Sequence, residues 1–287
     1  MRGIVLAGGT GSRLWPVTLG TSKQLLPVYD KPMIHYPIAT LMLAGIREIL
    51  IITTKQDQES FQKLLGTGIA FGVSFTYATQ DNPDGIAQAF LIGESFISNE
   101  PCALILGDNI FYGVGLGNQL QRINQADGAH IFAYEVTDPE RYGVIEFDNS
   151  GKAISIEEKP VNAKSNYAIP GLYFYDKDIV EIAKSVKPSK RGELEISSVN
   201  ELYLNAGKLN VIPLERGTVW LDAGTFDSLI DASIFMQVVE KRHRFKVSCL
   251  EEIAWRGGWI TDQELIARAD SYMSSPFAKY LMDLIKS

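Results

Sequence analysis

Gly3-Ile4-Val5-Leu6-Ala7-Gly8-Gly9-Thr10-Gly11-Ser12-Arg13 opens with an apolar run lacking polar alternation, which is how a strand buried on both faces of a parallel sheet reads. The run then breaks into glycine. Gly8, Gly9 and Gly11 tolerate positive φ and carry no Cβ, so successive N–H groups can converge on one anion. Arg13 ends the loop with a planar, permanently charged guanidinium suited to a phosphoryl group, and Lys23 adds a second cation further on. Together they predict an α/β fold with a cradle for a nucleoside triphosphate at the carboxyl edge of its sheet.

A Walker loop would need Gly-Lys-Ser/Thr where Gly11-Ser12-Arg13 stands, and a dinucleotide fingerprint would need glycine at Leu14. Pro16 and the Ser22-Lys23-Gln24-Leu25-Leu26-Pro27 stretch oppose a helix directly after the glycines, so the loop is expected to be long and open. Beyond it, apolar runs alternate with helical patterns: 49–53 then 58–65, 73–78 then 86–96, 102–106 then 116–126. That alternation predicts a Rossmann-like, mostly parallel central sheet with helices on both faces. Residues 33–44 are apolar nearly all round and end at Gly45, a buried helix with a glycine cap in spite of Pro37. From Ala129 the texture changes to strands at 130–135, 143–148, 153–157, 167–175 and 209–214, with a turn at Asn149-Ser150-Gly151. This reads as a smaller mixed β lobe, flanked by helices at 179–185, 196–206 and 226–241. The expected division is a core over 1–240, in parts of about 1–128 and 129–240, and a helical C-terminal region at 241–287.

The 287 residues carry a formal net charge of −7, so no basic field attracts a nucleic-acid backbone, and a polyanion must be held by local Lys, Arg and metal ions. Cys102 and Cys249 are the only cysteines, which indicates neither a disulfide framework nor a cysteine metal site. No uninterrupted apolar run approaches the ~20 residues of a membrane span, and no leader precedes the first strand. The expected location is the cytoplasm, with neither nucleic acid nor membrane as partner. His35, His130 and His243 lie apart without ligand spacing and are expected in packing or surface roles.

Asp108 ends the 102–106 run on the same sheet edge as the glycine loop, and Val219-Trp220-Leu221-Asp222 repeats that pattern. Either aspartate alone reads as a turn or cap residue. Paired beside a triphosphate, they read as ligands of Mg²⁺. Glu157-Glu158-Lys159-Pro160 is a solvated charge cluster in its plain reading and brings Lys159 to a phosphate in the chemical one. Arg191, just before a helix start, is likewise placed to clamp an anion. Gln80 opens a turn ending at Gly85 and offers a donor and an acceptor to a base edge. In the tail, Trp255, Trp259, Tyr272, Phe277 and Tyr280 call for docking on the core or on another subunit.

In their order, the segments 8–14, 22–27, 107–113, 139–144, 157–160, 171–176, 191–196 and 220–225 resemble the sugar nucleotidyltransferase family over nearly the whole chain. Two departures stand out: Ser12 where the family more often has Thr, and Ile169-Pro170 where a Val and a small polar residue are commoner. The resemblance implies direct attack of the phosphate of glucose 1-phosphate on the α-phosphorus of dTTP, giving dTDP-glucose and pyrophosphate, the first step toward dTDP-rhamnose and related deoxysugars. It implies catalytic roles for Arg13, Lys23, Lys159, Asp108 and Asp222, the two aspartates binding Mg²⁺. It puts the nucleotide against Leu6, Gly8, Gly9, Gly11, Ser12, Arg13, Lys23, Gln24 and Asp108, with Gln80 and Gly85 reading thymine. The sugar phosphate falls to Asn109, Gly143, Glu158, Lys159, Ile169, Tyr173, Arg191 and Trp220. A homotetramer is implied, with a regulatory site at a subunit contact formed by Tyr112, Gly113, Ser248, Glu252 and Arg256 and dTDP-rhamnose as feedback ligand. The alternatives are a pyrophosphorylase for another nucleotide or sugar, and a non-catalytic nucleotide-sugar sensor; a nicotinamide-dependent enzyme is disfavoured by Leu14.

Overall fold

The computed structural model describes residues 1–123 and 127–286. The first strand, Arg2–Ala7, lies at the centre of the parallel part of a ten-stranded sheet, between Cys102–Leu106 and Glu48–Thr53, with Ser74–Thr79 beyond. Successive residues of these strands enter opposite cores. Val5, Ile49, Ile51, Ala103 and Ile105 belong to one buried cluster, whereas Ile4, Leu50, Ile52, Cys102 and Leu104 belong to another. That is the period-2 signature of a sheet sandwiched between helical layers.

From Cys102–Leu106 the sheet continues without a break into antiparallel strands, in the order Leu172–Tyr175, Ala129–Glu135, Tyr167–Ala168, Gly143–Phe147 and Ala153–Glu158. Leu209–Pro213 pairs parallel with Ala129–Glu135. The α/β class is therefore as expected, and the mixed lobe extends the central sheet. One face is covered by His35–Leu43, Gln58–Leu65 and the C-terminal helices Leu250–Arg256, Asp262–Ser271 and Pro276–Lys286, whose Leu250, Ala254, Leu265 and Leu281 enter its core. The other is covered by Gln88–Ile92, Ile179–Ser185 and Ile196–Asn205.

Pro37 sits at the third position of its helix, where a missing N–H breaks no intrahelical bond. The expected helix at 86–96 is two helices, Gln88–Ile92 and Glu94–Ile97, divided at Gly93. A Cβ on Gly93 would lie 3.1 Å from Ile4 Cδ1 and Leu50 Cδ2, so close approach to the sheet fixes that break. The run 167–175 also divides, into Tyr167–Ala168 and Leu172–Tyr175, because Ile169-Pro170-Gly171 steps from one strand neighbour to another. The expected helix at 116–126 spans Leu116–Gln121, and 124–126 lie outside the described residues. Helix Phe226–His243 runs through the 240/241 boundary. Among the described residues, no helix is long and apolar enough to cross a membrane.

A short two-stranded ribbon was not foreseen. Asn109–Tyr112 pairs antiparallel with Val219–Asp222, so Asn109 faces Asp222 at one end and Tyr112 faces Val219 at the other. The ribbon places Asp108 and Asp222 side by side at the carboxyl edge of the parallel strands.

Candidate active site

The glycine loop turns at Gly11, whose φ of 61° favours glycine, and the Thr18 hydroxyl donates to its carbonyl at 2.8 Å. A Cβ on Gly8 would stand 2.7 Å from Gln80 Oε1, so bare backbone lets the loop meet the turn that Gln80 opens. Leu6 is the penultimate residue of the first strand and its carbonyl accepts Gly107 N–H at 2.8 Å. Ser12 and Arg13 begin a 3-10 turn, Ser12–Leu14; another follows at Val17–Leu19, and a third, Lys23–Leu25, buries Lys23 and Gln24. Gly9 borders an open cavity of about 550 Å³ that also touches Thr10, Ser22 and Lys55.

Lys23 Nζ donates to Asp108 Oδ2 at 2.5 Å, and Asn109 Nδ2 donates to Asp108 Oδ1 at 3.0 Å. Burial works to raise the Asp108 carboxyl, but the Lys23 charge and these donors outweigh it and hold it below the usual carboxylate range. Asp222 goes the other way: burial first, then the charge of Asp108, raise its carboxyl against the pull of Lys23, Arg13 and Arg141. The two acids are thus close enough to repel. Among the described residues no group of three or more His, Cys, Asp or Glu is arranged to hold a metal. A pair of carboxylates is nevertheless a sufficient protein contribution for Mg²⁺, which completes its shell with substrate oxygens and water.

Both aspartates open into a cavity of about 460 Å³, a size suited to a small ligand. Seven of the eight expected sugar-phosphate residues line it: Asn109, Gly143, Glu158, Lys159, Ile169, Tyr173 and Trp220. Asn109 is clamped there, its Oδ1 accepting Trp220 Nε1–H at 2.7 Å and Gly171 N–H at 2.9 Å. Lys159 has a positive φ of 44°, an uncommon conformation for a side-chain-bearing residue, at the point where the strand Ala153–Glu158 ends. Arg191 is not among the cavity's lining residues; its guanidinium is paired with Glu195 at 2.9 Å and lies 3.7 Å from Glu158.

Sequence reasoning assigned no role to Arg141, Tyr142, Ser197 or Asn200, all of which line the cavity. Arg141 Nη2 lies 3.7 Å from Asp222 Oδ2, Tyr142 packs on Trp220 at 5.0 Å between rings, and Ser197 donates to Glu158. Arg141 and Tyr142 fall inside one of the resembling segments. Ser197 and Asn200, three positions apart on Ile196–Asn205, share a helix face, a spacing the sequence displays without saying what it faces. Gln80 is buried, its Nε2 donating to Gln88 Oε1 at 2.6 Å and Gly85 O at 3.3 Å. Gly85, at φ 108°, leaves no room for a Cβ, which would meet Leu194 O at 2.3 Å.

A third cavity, of about 500 Å³, lies on the opposite end of the ribbon and is lined by Tyr112, Gly113, Ser248, Glu252 and Arg256, all five of the expected regulatory residues. Arg256 Nε donates to Glu252 Oε1 at 2.7 Å.

The chain matches the nucleotidyl transferase family profile over residues 2–238. It is 58% identical over 286 residues to the glucose-1-phosphate thymidylyltransferase of Mycobacterium tuberculosis, covering 100% of this chain and 99% of that one. It is 55% identical over 287 residues to the enzyme of the same name from Neisseria meningitidis, covering 100% of both. It is also similar to a crystal structure described as a glucose-1-phosphate thymidylyltransferase from Bacillus anthracis, with a TM-score of 0.76 and 46% identity over 82% of this chain and 94% of that one. A UDP-glucose pyrophosphorylase solved with UDP-glucose gives a TM-score of 0.70 and 28% identity over 84% and 99% of the two chains.

Proposed function

The chain belongs to the nucleotidyl transferase family, and on that premise we propose that it transfers the thymidylyl group of dTTP to glucose 1-phosphate, releasing pyrophosphate and leaving dTDP-glucose. The supporting observation is one sugar-sized cavity in which Arg13, Arg141 and Lys159 face Asp108 and Asp222, in a chain 58% identical along its length to a relative named for that activity. The phosphate nucleophile is already ionised, so no general base is needed and no covalent enzyme intermediate forms. Its oxygen bonds to the α-phosphorus as the bond to the departing pyrophosphate breaks on the opposite side. The residues act by holding two polyanions in line and neutralising the charge that develops.

Arg13 and the loop amides hold the triphosphate, Lys159 takes the sugar phosphate, and Glu158, Asn109 and Trp220 hold the sugar. Asp108 and Asp222 are the ligands of Mg²⁺, which when bound supplies Lewis-acid neutralisation at the phosphates. Gln80, its amide nitrogen already engaged, turns Oε1 to accept from the N3–H of the base. Thymine and uracil share that group, so selection between dTTP and UTP rests elsewhere, at the 5-methyl and the 2′ position. A pyrophosphate-release assay over four nucleotides and several sugar 1-phosphates tests the reading. The highest kcat/KM is expected for dTTP with glucose 1-phosphate, and equal turnover of UTP would replace it with the reading the UDP-glucose pyrophosphorylase likeness favours.

The part before residue 129 serves the nucleotide, the part from 129 to 240 the sugar phosphate, and the C-terminal helices serve subunit contact and regulation. Self-association to a homotetramer is supported by Phe226, Ile230, Ile234 and Val238, which repeat every fourth residue and are 43–55% exposed, an apolar stripe along one helix face. The cytoplasmic location is supported by two unpaired, buried cysteines. The cavity at Tyr112, Ser248 and Arg256 is the second nucleotide site, with dTDP-rhamnose as its feedback ligand. Arg256→Ala removes an exposed phosphate clamp remote from the active cavity, so it is expected to relieve inhibition by dTDP-rhamnose while leaving activity at low product unchanged. Inhibition curves at several dTTP concentrations check this, and superimposable curves would leave the tail a structural role only.

A further inference from the structure

Asn200 is fully buried, yet it lines the active cavity. Its Oδ1 accepts the Tyr175 hydroxyl at 2.6 Å, whereas its Nδ2 has no hydrogen-bond partner. Buried donors of this kind are nearly always satisfied, and an unpartnered one on a residue lining a ligand cavity is a donor available to the ligand. Tyr175 is itself fully buried, fixed by the edge of Phe90 at 5.3 Å and by Tyr203 at 5.5 Å. The amide is therefore oriented from behind.

The position of this donor along the cavity is set by the strand Leu172–Tyr175. Gly171, just before the strand, meets Asn109 at the end that holds the aspartates. Tyr175 lies about 13 Å further along at ~3.3 Å per residue, in register with Cys102 at the start of its neighbour. Asn200, bonded to Tyr175, thus lies toward the end of the cavity away from Asp108 and Asp222. A sugar whose anomeric phosphate lies against those charged residues presents its C4 and C6 edge to that end.

We infer that Asn200 Nδ2 donates a hydrogen bond to a hydroxyl on the C4–C6 edge of the sugar and so sets sugar specificity, with Tyr175 as the positioning residue that aims the amide. This rests on the reading of the cavity as the sugar-phosphate pocket. A site built to bond a hydroxyl discriminates strongly against an analogue lacking it, because its own donor is then left unpaired.

The test compares glucose 1-phosphate with its 2-deoxy, 4-deoxy and 6-deoxy derivatives in the wild type, Asn200→Ala, Tyr175→Phe and the double variant that removes both buried partners. Asn200→Ala is expected to lower kcat/KM for glucose 1-phosphate ~10- to 100-fold, chiefly through KM. The same loss is expected with the 2-deoxy sugar, and almost none with whichever of the 4-deoxy or 6-deoxy sugars lacks the bonded hydroxyl. Tyr175→Phe should give the same pattern at smaller amplitude. Melting temperatures identify variants that fail to fold, and the wild type alone remains decisive: turnover of both the 4-deoxy and 6-deoxy sugars at the parent rate overturns the inference. Equal losses by folded Asn200→Ala on all four sugars overturn it as well. Lys159→Ala separates the two readings. A raised KM for glucose 1-phosphate in Lys159→Ala beside a flat Asn200 series defeats only the role of Asn200, whereas an unchanged KM in Lys159→Ala defeats the sugar-phosphate pocket and this inference with it.

Discussion

Asp222→Asn is expected to lower turnover by ~10³-fold or more with the fold intact, since charge neutralisation through a metal contributes several kcal/mol and about 1.4 kcal/mol is tenfold in rate. The melting temperature should be unchanged or higher. Burial and the charge of Asp108 raise the Asp222 carboxyl above its ordinary value of 3.8, and an acid raised in the folded state favours folding only at low pH. That contribution is lost as pH rises through the folded value, so at neutral pH the neutral amide relieves repulsion. Asp108→Asn should be as damaging to turnover but should also lower the melting temperature, because it strips the counter-charge from Lys23, which is 5% exposed. Turnover at saturating substrates across a Mg²⁺ series, beside thermal melts, distinguishes the two. Near-normal turnover in either variant removes that residue from the metal site.

The parallel half of the sheet was legible because Ile4, Val5, Ile49 to Ile52 and Cys102 to Ile105 are apolar without alternation, and burial on both faces leaves that trace. The breaks at Gly93 and at Ile169-Pro170-Gly171 were not, since each answers to a neighbour far away in the chain: Ile4 and Leu50 in one case, Asn109 in the other. The ribbon of Asn109–Tyr112 with Val219–Asp222 is four residues per strand and joins segments more than a hundred positions apart. Such strands carry too short a pattern to read, yet this one brings the aspartates together. Among cations the sequence presents Arg141 and Arg191 alike, each beside acidic residues. Only the folded chain brings Arg141, bonded to Asp138 at 2.7 Å, within 3.7 Å of Asp222 and ties Arg191 to Glu195, because the outcome depends on which carboxylates the backbone brings within reach.

Lys23 is where the family resemblance and the geometry ask for different measurements. The resemblance gives it to the triphosphate, whereas its ammonium is buried against Asp108 at 2.5 Å. If holding Asp108 is its main task, Lys23→Met leaves that carboxylate without its counter-ion, and breaking such a pair costs up to about 3 to 5 kcal/mol. The lower end applies, because the Asp108 side chain is 20% exposed toward the cavity. The variant should therefore melt several degrees lower and lose ~10²- to 10³-fold in kcat/KM, the range for removing one preorganised charge stabiliser. Adding Asp108→Asn should restore most of the melting temperature, since both charges of the pair are then gone, while activity stays lost. A lysine acting on the triphosphate alone predicts the opposite pattern: a raised KM for dTTP in Lys23→Met, an unchanged melting temperature, and no recovery in the double variant. The two outcomes differ in the melting temperature and in its recovery, so melts and dTTP saturation curves of the single and double variants decide whether Lys23 serves the nucleotide directly or through the aspartate.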